Sequence, residues 1–146
     1  SALIHAINFL ETEGKIFDYV VVLEPTSPFR KSSTIEKCIK LISELKADSL
    51  LTLKKSFSNI GDLKFNYYKP LRENQPRRRQ EREPFYLESS TVYVAKIDFL
   101  KQTKSLVSNK WAACVLDSEE EGIDINSQLD FYLAESVLKG KQNKKF

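Results

Sequence analysis

The 146-residue sequence is 41% hydrophobic and 11% aromatic, and its formal net charge is +3. This composition indicates one globular domain rather than a disordered chain, and so small a charge does not demand a nucleic-acid partner. No apolar run approaches the roughly eighteen residues of a membrane-spanning helix and no secretory leader is visible, so we expect a cytoplasmic protein without membrane contact.

Rare residue types narrow the possible chemistry. Cys38 and Cys114 lie far apart without a CxxC pair, which predicts two buried thiols in a reducing compartment. The only histidine, His5, has no partner in the sequence, which excludes most His-based triads and zinc sites within this chain. No methionine is present, even at position 1, so we expect further residues upstream in the native protein.

The first third of the chain predicts alternating helix and strand. Apolar residues follow a helical period from Ala2 until Gly14. Residues 18–24 form an apolar, β-branched run typical of a strand covered on both faces, and two prolines make residues 25–30 a loop. Ser33 and Glu36 have the spacing of a capping box at the start of the next helix. The apolar stripe of that helix comprises Ile35, Cys38, Ile39, Ile42 and Leu45.

A second strand at residues 49–53 completes a βαβ unit, which predicts a parallel sheet. The following segment is polar and rich in arginine, and we interpret residues 54–90 as an inserted arm. Strand patterns return at 91–97 and 112–116. A last extended stretch covers residues 123–125, and Ser127 caps a final helix with an apolar stripe of Leu129, Tyr132, Leu133 and Val137.

The predicted fold class is α/β, as a single domain over residues 1–146. It is an open, mostly parallel, Rossmann-like sheet with helices on both faces, and residues 140–146 form a basic, frayed tail. Sheets of this type bind ligands at the carboxyl ends of their strands. The loop at residues 25–30 lies at such an end.

Two segments carry candidate chemistry. In the proline-braced loop, Thr26 and Ser27 offer hydroxyls and Arg30 offers a guanidinium fork for phosphate or carboxylate, although these residues also suit a rigid surface turn. Asp124 and Asn126 point to the same side of an extended stretch, and two oxygen ligands on one face suit Mg²⁺. The alternative for Asp124 is an ordinary carboxylate at the entry to a helix.

Three segments together resemble the acylneuraminate cytidylyltransferase family. They are VVLEPTSPFR (Val21 to Arg30), RRQ with YLESSTVYVA between Arg78 and Ala95, and GIDINSQLDFYLAE (Gly122 to Glu135). Their order and spacing also fit, so the resemblance spans nearly the whole chain. It implies a nucleotidyltransferase that activates a nonulosonic, sialic-acid-like sugar acid with CTP. The products would be the CMP-sugar and pyrophosphate, and the cofactor Mg²⁺.

The resemblance also implies roles for individual residues. Asp124 and Arg79 would be catalytic, and Asp124 with Asn126 would hold the magnesium ion. The arm at residues 54–90 resembles the region through which family members form homodimers whose subunits complete each other's sites, so we expect a homodimer. The substrate-binding set would comprise Glu24, Thr26, Ser27, Arg30, Gln80, Ser89 and Tyr93.

Several departures from the family pattern affect these expectations. Asn126 stands where the family has a second aspartate, which removes a negative charge and should weaken the affinity for metal. Ser89 and Ser90 replace an Asn-Gly pair, so a permissive glycine is lost. The family's Gly-, Arg- and Lys-rich loop, which grips the triphosphate, has no counterpart in residues 1–20. We therefore expect the chain to be incomplete at its N-terminus and inactive alone.

Glu24 is a further departure, because the family most often has glutamine there. An ionised carboxylate only accepts hydrogen bonds, whereas an amide also donates them. Glu24 would therefore favour a diamino nonulosonic acid, whose N-acyl groups supply additional N–H donors. The alternative is that Glu24 simply pairs with a neighbouring basic residue.

Two other functional classes remain open. The same fold without catalysis would be a binding or structural module, an interpretation supported by Asn126, Ser89 and the missing loop. A nucleic-acid surface would use the arginines at residues 72–82, but the acidic run at 118–121 and the small net charge favour no nucleic-acid binding. The aromatic residues of such a surface would be Phe65, Tyr67 and Tyr68, and the arginines expected to be merely solvated are Arg72, Arg77 and Arg82.

Overall fold

The computed structural model describes residues 1–143. In chain order the helices and strands are α1 (Ala2–Thr12), β1 (Tyr19–Val22), α2 (Ser32–Glu44), β2 (Ser49–Ser56), β3 (Gly61–Lys64), β4 (Tyr67–Pro70), β5 (Phe85–Lys96), α3 (Ile97–Thr103), β6 (Ala112–Val115) and α4 (Gln128–Asn143). Two 3-10 turns, Arg79–Glu81 and Glu120–Gly122, precede β5 and α4. Among the described residues, no helix is both long and apolar enough to cross a bilayer.

The main sheet has the strand order β1-β5-β2-β6. Strand β5 runs antiparallel to both of its neighbours, whereas β2 and β6 are parallel. Three of the four strands therefore share one direction, and the predicted open α/β sheet is confirmed. The reversed strand has a simple cause: the arm leaves and rejoins the sheet at the carboxyl end of β2, so the returning strand must run backwards.

Helices cover both faces of the sheet, as predicted. On one face α2 packs Cys38 and Ile42 against a buried cluster that includes Val94. On the other face, Ile7 of α1 and Leu100 of α3 form a second cluster. Strand β1 contributes to both, because successive side chains of a strand point to opposite faces.

Both cysteines are free and buried, as predicted. Burial raises the pKa of Cys38 to about 12, and the neighbouring Cys114 adds to this effect. The Cys38 thiol is therefore protonated near neutral pH and acts as part of the core rather than as a nucleophile.

The start of α2 corrects the predicted capping box. The helix begins at Ser32 with Lys31 as its N-cap residue, and no side chain of the helix itself caps it. Instead, the buried carboxylate of Glu121 accepts a hydrogen bond from the Lys31 backbone N–H, with Oε1 3.2 Å from that nitrogen. A residue 90 positions away therefore replaces the local cap of Ser33 and Glu36.

The start of α4 confirms the predicted cap. Ser127 Oγ accepts from the Asp130 N–H at 3.3 Å, and the Asp130 carboxylate accepts from the Ser127 N–H at 2.8 Å. The helix continues to Asn143, so residues 140–143 are not part of a frayed tail, and residues 144–146 lie outside the described residues. Lys141 holds this end in place through an ion pair with Glu120 at 2.6 Å and a position 4.7 Å from the centre of the Phe29 ring.

The predicted arm includes strand residues at both ends, because β2 continues to Ser56 and β5 already begins at Phe85. The projecting part contains the β3–β4 hairpin. Gly61 is required there, since a Cβ atom would lie 2.3 Å from the Lys69 carbonyl oxygen.

The prediction that Ile97 belongs to a strand was wrong, because α3 begins at this residue.

Two arginines expected to be solvated are structural. Arg82 donates to the carbonyl oxygens of Pro76, Phe57 and Arg77, so its half-buried guanidinium closes the loop before β5. Arg72 lies 4.4 Å from the centre of the Phe85 ring. The arm is therefore anchored at its base, while its tip exposes Phe65 to 94%.

Candidate functional site

A bulge in β5 forms the centre of the candidate site. The register between β2 and β5 shifts at Leu51/Thr52, so that Leu51 faces Tyr93 whereas Thr52 faces Ser89. The fully buried Thr52 hydroxyl accepts from the Val92 N–H at 3.1 Å and donates to the Ser89 carbonyl oxygen at 2.8 Å. One side chain therefore satisfies backbone groups that the interrupted ladder leaves unpaired.

The proline-braced loop after β1 packs against this bulge. Arg30 donates from Nε to the Thr91 carbonyl oxygen at 2.6 Å and from Nη2 to the Glu24 carbonyl oxygen. The Ser27 and Ser90 hydroxyls lie 3.3 Å apart, and Ser27 is buried. In this structure two of the three guanidinium nitrogens of Arg30 hold the loop in shape, and its substrate-binding role stays a prediction.

The loop before α4 is the third segment that meets here. The Thr91 hydroxyl donates to the Glu121 carbonyl oxygen at 3.1 Å, and the Ile125 N–H donates to the Thr26 carbonyl oxygen at 2.9 Å. The three segments that carry the sequence resemblance are therefore joined by direct hydrogen bonds. They meet just beyond the carboxyl end of β1, beside the bulge of β5, and the carboxyl ends of strands are where such sheets bind ligands.

Asp124 lies in this junction with one oxygen engaged and one free. Its Oδ2 accepts from the Asn126 side-chain amide at 2.6 Å, whereas its Oδ1 is buried without a hydrogen-bond partner in residues 1–143. The pKa of Asp124 is lowered, most strongly by the nearby Thr26 hydroxyl. The side chains of Asn126 and Ser90 and the positive charge of Lys54 act in the same direction. Burial opposes these effects. The group is therefore ionised at neutral pH.

The arrangement fits a magnesium ion that brings most of its ligands with it. No cluster of three or more acidic, histidine or cysteine side chains suited to a metal occurs in the described part of the chain. Mg²⁺ in nucleotide sites is commonly bound by one or two carboxylates together with phosphate oxygens and water. The free Oδ1 of Asp124 supplies one such ligand. Asn126 donates its amide to Asp124 here, and its carbonyl oxygen would supply a second ligand.

A cleft of about 440 Å³ opens beside Asp124. Arg79, the other residue predicted to be catalytic, lines the same cleft although it lies 45 positions earlier in the chain. Among residues 1–143 the Arg79 guanidinium has no ion pair, whereas its neighbour Arg78 pairs with Glu81. The remaining lining residues are Lys54, Lys55, Ser56, Phe57, Leu87, Leu116, Asp117, Ser118, Glu119, Gly122, Ile123, Asp130 and Leu133.

Tyr93 and Glu24 do not line the cleft, and the charge of Glu24 acts on Tyr93. The Tyr93 hydroxyl donates to Glu88 Oε1 at 2.8 Å. The pKa of Tyr93 is raised to about 12. Burial has the largest effect, and the hydrogen bond to Glu88 and the negative charges of Glu88, Glu24 and Asp124 act in the same direction. The Glu24 carboxylate has no ion pair within the described residues, so a basic partner for it is not found there.

The other predicted substrate-binding residues differ in accessibility. Ser89 is buried, and its hydroxyl lies 2.8 Å from that of Thr91 inside the sheet, so the structure gives it a packing role. Gln80 is exposed on the 3-10 turn and does not line the cleft.

Sequence reasoning missed Thr52, Glu121 and Lys54. Thr52 follows two leucines in β2 without any motif, and only its position opposite the bulge reveals its role.

Comparison with known proteins supports the family resemblance. No protein-family model matches the chain. CMP-N,N'-diacetyllegionaminic acid synthase of Legionella pneumophila is 29% identical over 130 residues, which cover 86% of this chain and 56% of that protein. Post-translational flagellin modification protein B of Campylobacter coli is 25% identical over 129 residues, covering 86% and 54%. The resemblance to the acylneuraminate cytidylyltransferases is confirmed. The chain spans about half the length of these curated relatives.

Solved structures of cytidylyltransferases share the fold. The 4-diphosphocytidyl-2C-methyl-D-erythritol synthase of Anaerococcus prevotii superposes with a TM-score of 0.56 at 16% identity, over 90% of this chain and 64% of that one. The 2-C-methyl-D-erythritol 4-phosphate cytidylyltransferase of Francisella tularensis gives 0.55 at 17% identity, over 91% and 64%. At this identity the likeness establishes the Rossmann-like fold alone.

Proposed function

We propose that this chain is part of a cytidylyltransferase that uses CTP to activate a nonulosonic sugar acid. The observation that carries the proposal is the junction of the three resembling segments, which brings Asp124 and Arg79 to one cleft at the carboxyl edge of the sheet. The name of the Legionella relative adds a CMP-linked sugar acid as the product class. The substrates, Mg²⁺ and the activity of the whole protein are all part of this proposal.

The reaction needs alignment and charge neutralisation more than covalent chemistry by the protein. The anomeric hydroxyl oxygen of the sugar acid attacks the α-phosphorus of CTP and its proton passes to solvent. The bond from the α-phosphorus to the oxygen that bridges to the β-phosphorus breaks, and pyrophosphate leaves. Asp124 and the carbonyl oxygen of Asn126 would hold Mg²⁺, which when bound neutralises charge on the phosphate oxygens. Arg79 lines the same cleft and its guanidinium has no ion pair among residues 1–143, so it is suited to bind an anionic group of either substrate.

The sugar class follows from Glu24. Within residues 1–143 its carboxylate has no ion pair, and its charge contributes to the raised pKa of Tyr93. An ionised carboxylate accepts hydrogen bonds without donating any. A sugar acid with two N-acyl groups offers two N–H donors, and the Legionella relative is named for a diacetylated acid. We infer that this protein takes a sugar acid of that diacylated type.

A homodimer is part of the proposal. The tip of the arm exposes Leu63 to 70%, Phe65 to 94% and Tyr67 to 82%, a concentration of apolar surface that favours a protein partner. Arg82 anchors the base of the arm by donating to the carbonyl oxygens of Pro76 and Phe57.

The alternative is a catalytically inactive binding module of the same fold. It is favoured by the Asn126 amide, which donates to Asp124 and so occupies its Oδ2. Such a module would bind nucleotide or sugar without releasing pyrophosphate.

The test measures pyrophosphate release by the protein expressed from its complete reading frame, with CTP, Mg²⁺ and N,N'-diacetyllegionaminic acid. We expect turnover by the wild type and a loss of at least about a hundredfold in Asp124→Ala, since a metal-binding carboxylate is removed. Asp98→Ala, which alters an exposed carboxylate on α3, is the matched control and should retain activity. Ligand binding without any turnover in the wild type would support the inactive module instead.

A further inference from the structure

Lys54 lines the cleft, and it has no carboxylate partner among residues 1–143. It is half-buried near the end of β2, and its Nζ lies 3.4 Å from the Gly122 carbonyl oxygen, its single hydrogen bond within residues 1–143. This lysine makes no ion pair in the same part of the chain. Most acidic side chains around the cleft are bonded to other residues instead. A half-buried ammonium group with spare donors is suited to bind an anion.

The charges around Lys54 favour an anionic ligand. Asp117 pairs with Lys37 at 3.0 Å, and the Asp130 carboxylate accepts from the Ser127 N–H in the helix cap. Asp124 is close enough for the Lys54 charge to contribute to its lowered pKa. Asp124 alone would repel any anion, since like charges nearby are destabilising. The positive charge of Lys54, close to Asp124, offsets that repulsion.

Gly122 allows Lys54 to reach this position. A Cβ atom at residue 122 would lie 3.2 Å from Lys54 Cδ and 3.4 Å from Lys54 Cβ. The aliphatic part of the lysine therefore packs directly on the glycine backbone, which fixes the direction of the ammonium group. A long side chain held in this way loses less conformational freedom when it binds a ligand.

We propose that Lys54 is an oxyanion-binding residue of the cleft, which positions a phosphate or carboxylate group of the substrate beside Asp124. The proposal rests on the proposed function for the identity of that substrate, whereas the anion site itself is a property of this chain. Both substrates carry anionic oxygen atoms, on a phosphate in the nucleotide and on a carboxylate in the sugar acid.

Titration of the 146-residue chain with two probes distinguishes these sources. CMP supplies a phosphate and N-acetylneuraminic acid supplies a carboxylate, and binding is followed by amide chemical shifts. We expect at least one probe to bind, and Lys54→Met to weaken that binding about tenfold, the effect of losing a charged hydrogen bond. Lys54→Arg should keep most of the affinity. Lys110→Met, in the exposed segment before β6, is the matched control and should bind as wild type.

A second variant tests the position of the charge without removing it. Gly122→Ala should displace the lysine and weaken binding severalfold, whereas Gly140→Ala, whose Cβ meets no atom within 4 Å, should have no effect. Unchanged affinity in Lys54→Met, or no binding of either probe by the wild type, overturns the proposal.

Turnover by the complete protein separates this inference from the proposed function. If the wild type is inactive but probe binding still depends on Lys54, the proposed function fails and the anion site stands. If the wild type is active and Lys54→Met keeps its kcat/KM, the role of Lys54 is refuted while the function stands.

Discussion

Replacing Thr52 by valine tests the bulge on which the candidate site is built. Valine has nearly the same shape but removes the hydroxyl that accepts from the Val92 N–H and donates to the Ser89 carbonyl oxygen. Thr52 is fully buried, so water cannot replace these bonds. Each buried group left without a partner costs about 1–3 kcal/mol, and the added methyl recovers part of this loss. We expect the free energy of unfolding to fall by about 2–3 kcal/mol.

Urea unfolding of the 146-residue chain, followed by the fluorescence of its single tryptophan, measures this change. Thr52→Ser keeps the hydroxyl and should be less destabilised than Thr52→Val. Thr34→Val is the matched control. Thr34 is also buried, with only 4% of its surface exposed, and its hydroxyl makes no hydrogen bond in the described part of the chain. Its effect should stay within about 0.5 kcal/mol. A Thr52→Val protein as stable as the wild type would refute the bulge argument.

Three further predictions concern the chemistry of the site. Asn126→Asp should lower the Mg²⁺ concentration for half-maximal turnover in the complete protein, because it adds a negative charge beside Asp124; an unchanged requirement would place the metal elsewhere. Glu24→Gln should shift the ratio of kcat/KM values from N,N'-diacetyllegionaminic acid toward N-acetylneuraminic acid by about 5- to 100-fold, the equivalent of one unsatisfied buried group, and a constant ratio would show that Glu24 does not contact the sugar. Tyr93 has a raised pKa of about 12, so its stabilising contribution is complete below pH 10 and is lost as the pH rises toward 12. Difference absorbance at 295 nm between wild type and Tyr93→Phe should show this late titration, and ionisation near pH 10 would contradict the described burial.

Much of the local structure could be predicted from the sequence. Helix α2 was recognised from the spacing of Cys38, Ile42 and their apolar neighbours, since a 3.6-residue period survives in any tertiary context that buries one face. Pro25 and Pro28 forced a loop at the end of β1 for the same kind of local reason. The resemblance of three short segments indicated the kind of relative that the comparisons found, before any contact was known.

The partners of individual side chains could not be predicted in this way. Arg30 had the pattern of a ligand-binding residue, yet two of its nitrogens hold carbonyl groups of the loop and the bulge. The cap of α2 was assigned to Ser33, whereas Glu121 supplies it from 90 positions away. Sequence spacing contains no record of such contacts, because they depend on how distant segments meet.

The sequence by itself determined the α/β class, the position of most helices and strands, and the three segments that form the site, because periodicity, proline and turn residues act within a few positions. Only the tertiary structure decided that β5 runs backwards between β1 and β2, that a bulge satisfied by Thr52 joins the segments, and that Lys54 shares a cleft with Asp124. The physical reason is the same for all three. Buried backbone groups and charges must find partners, and those partners are supplied by whichever distant segment the packed fold brings close.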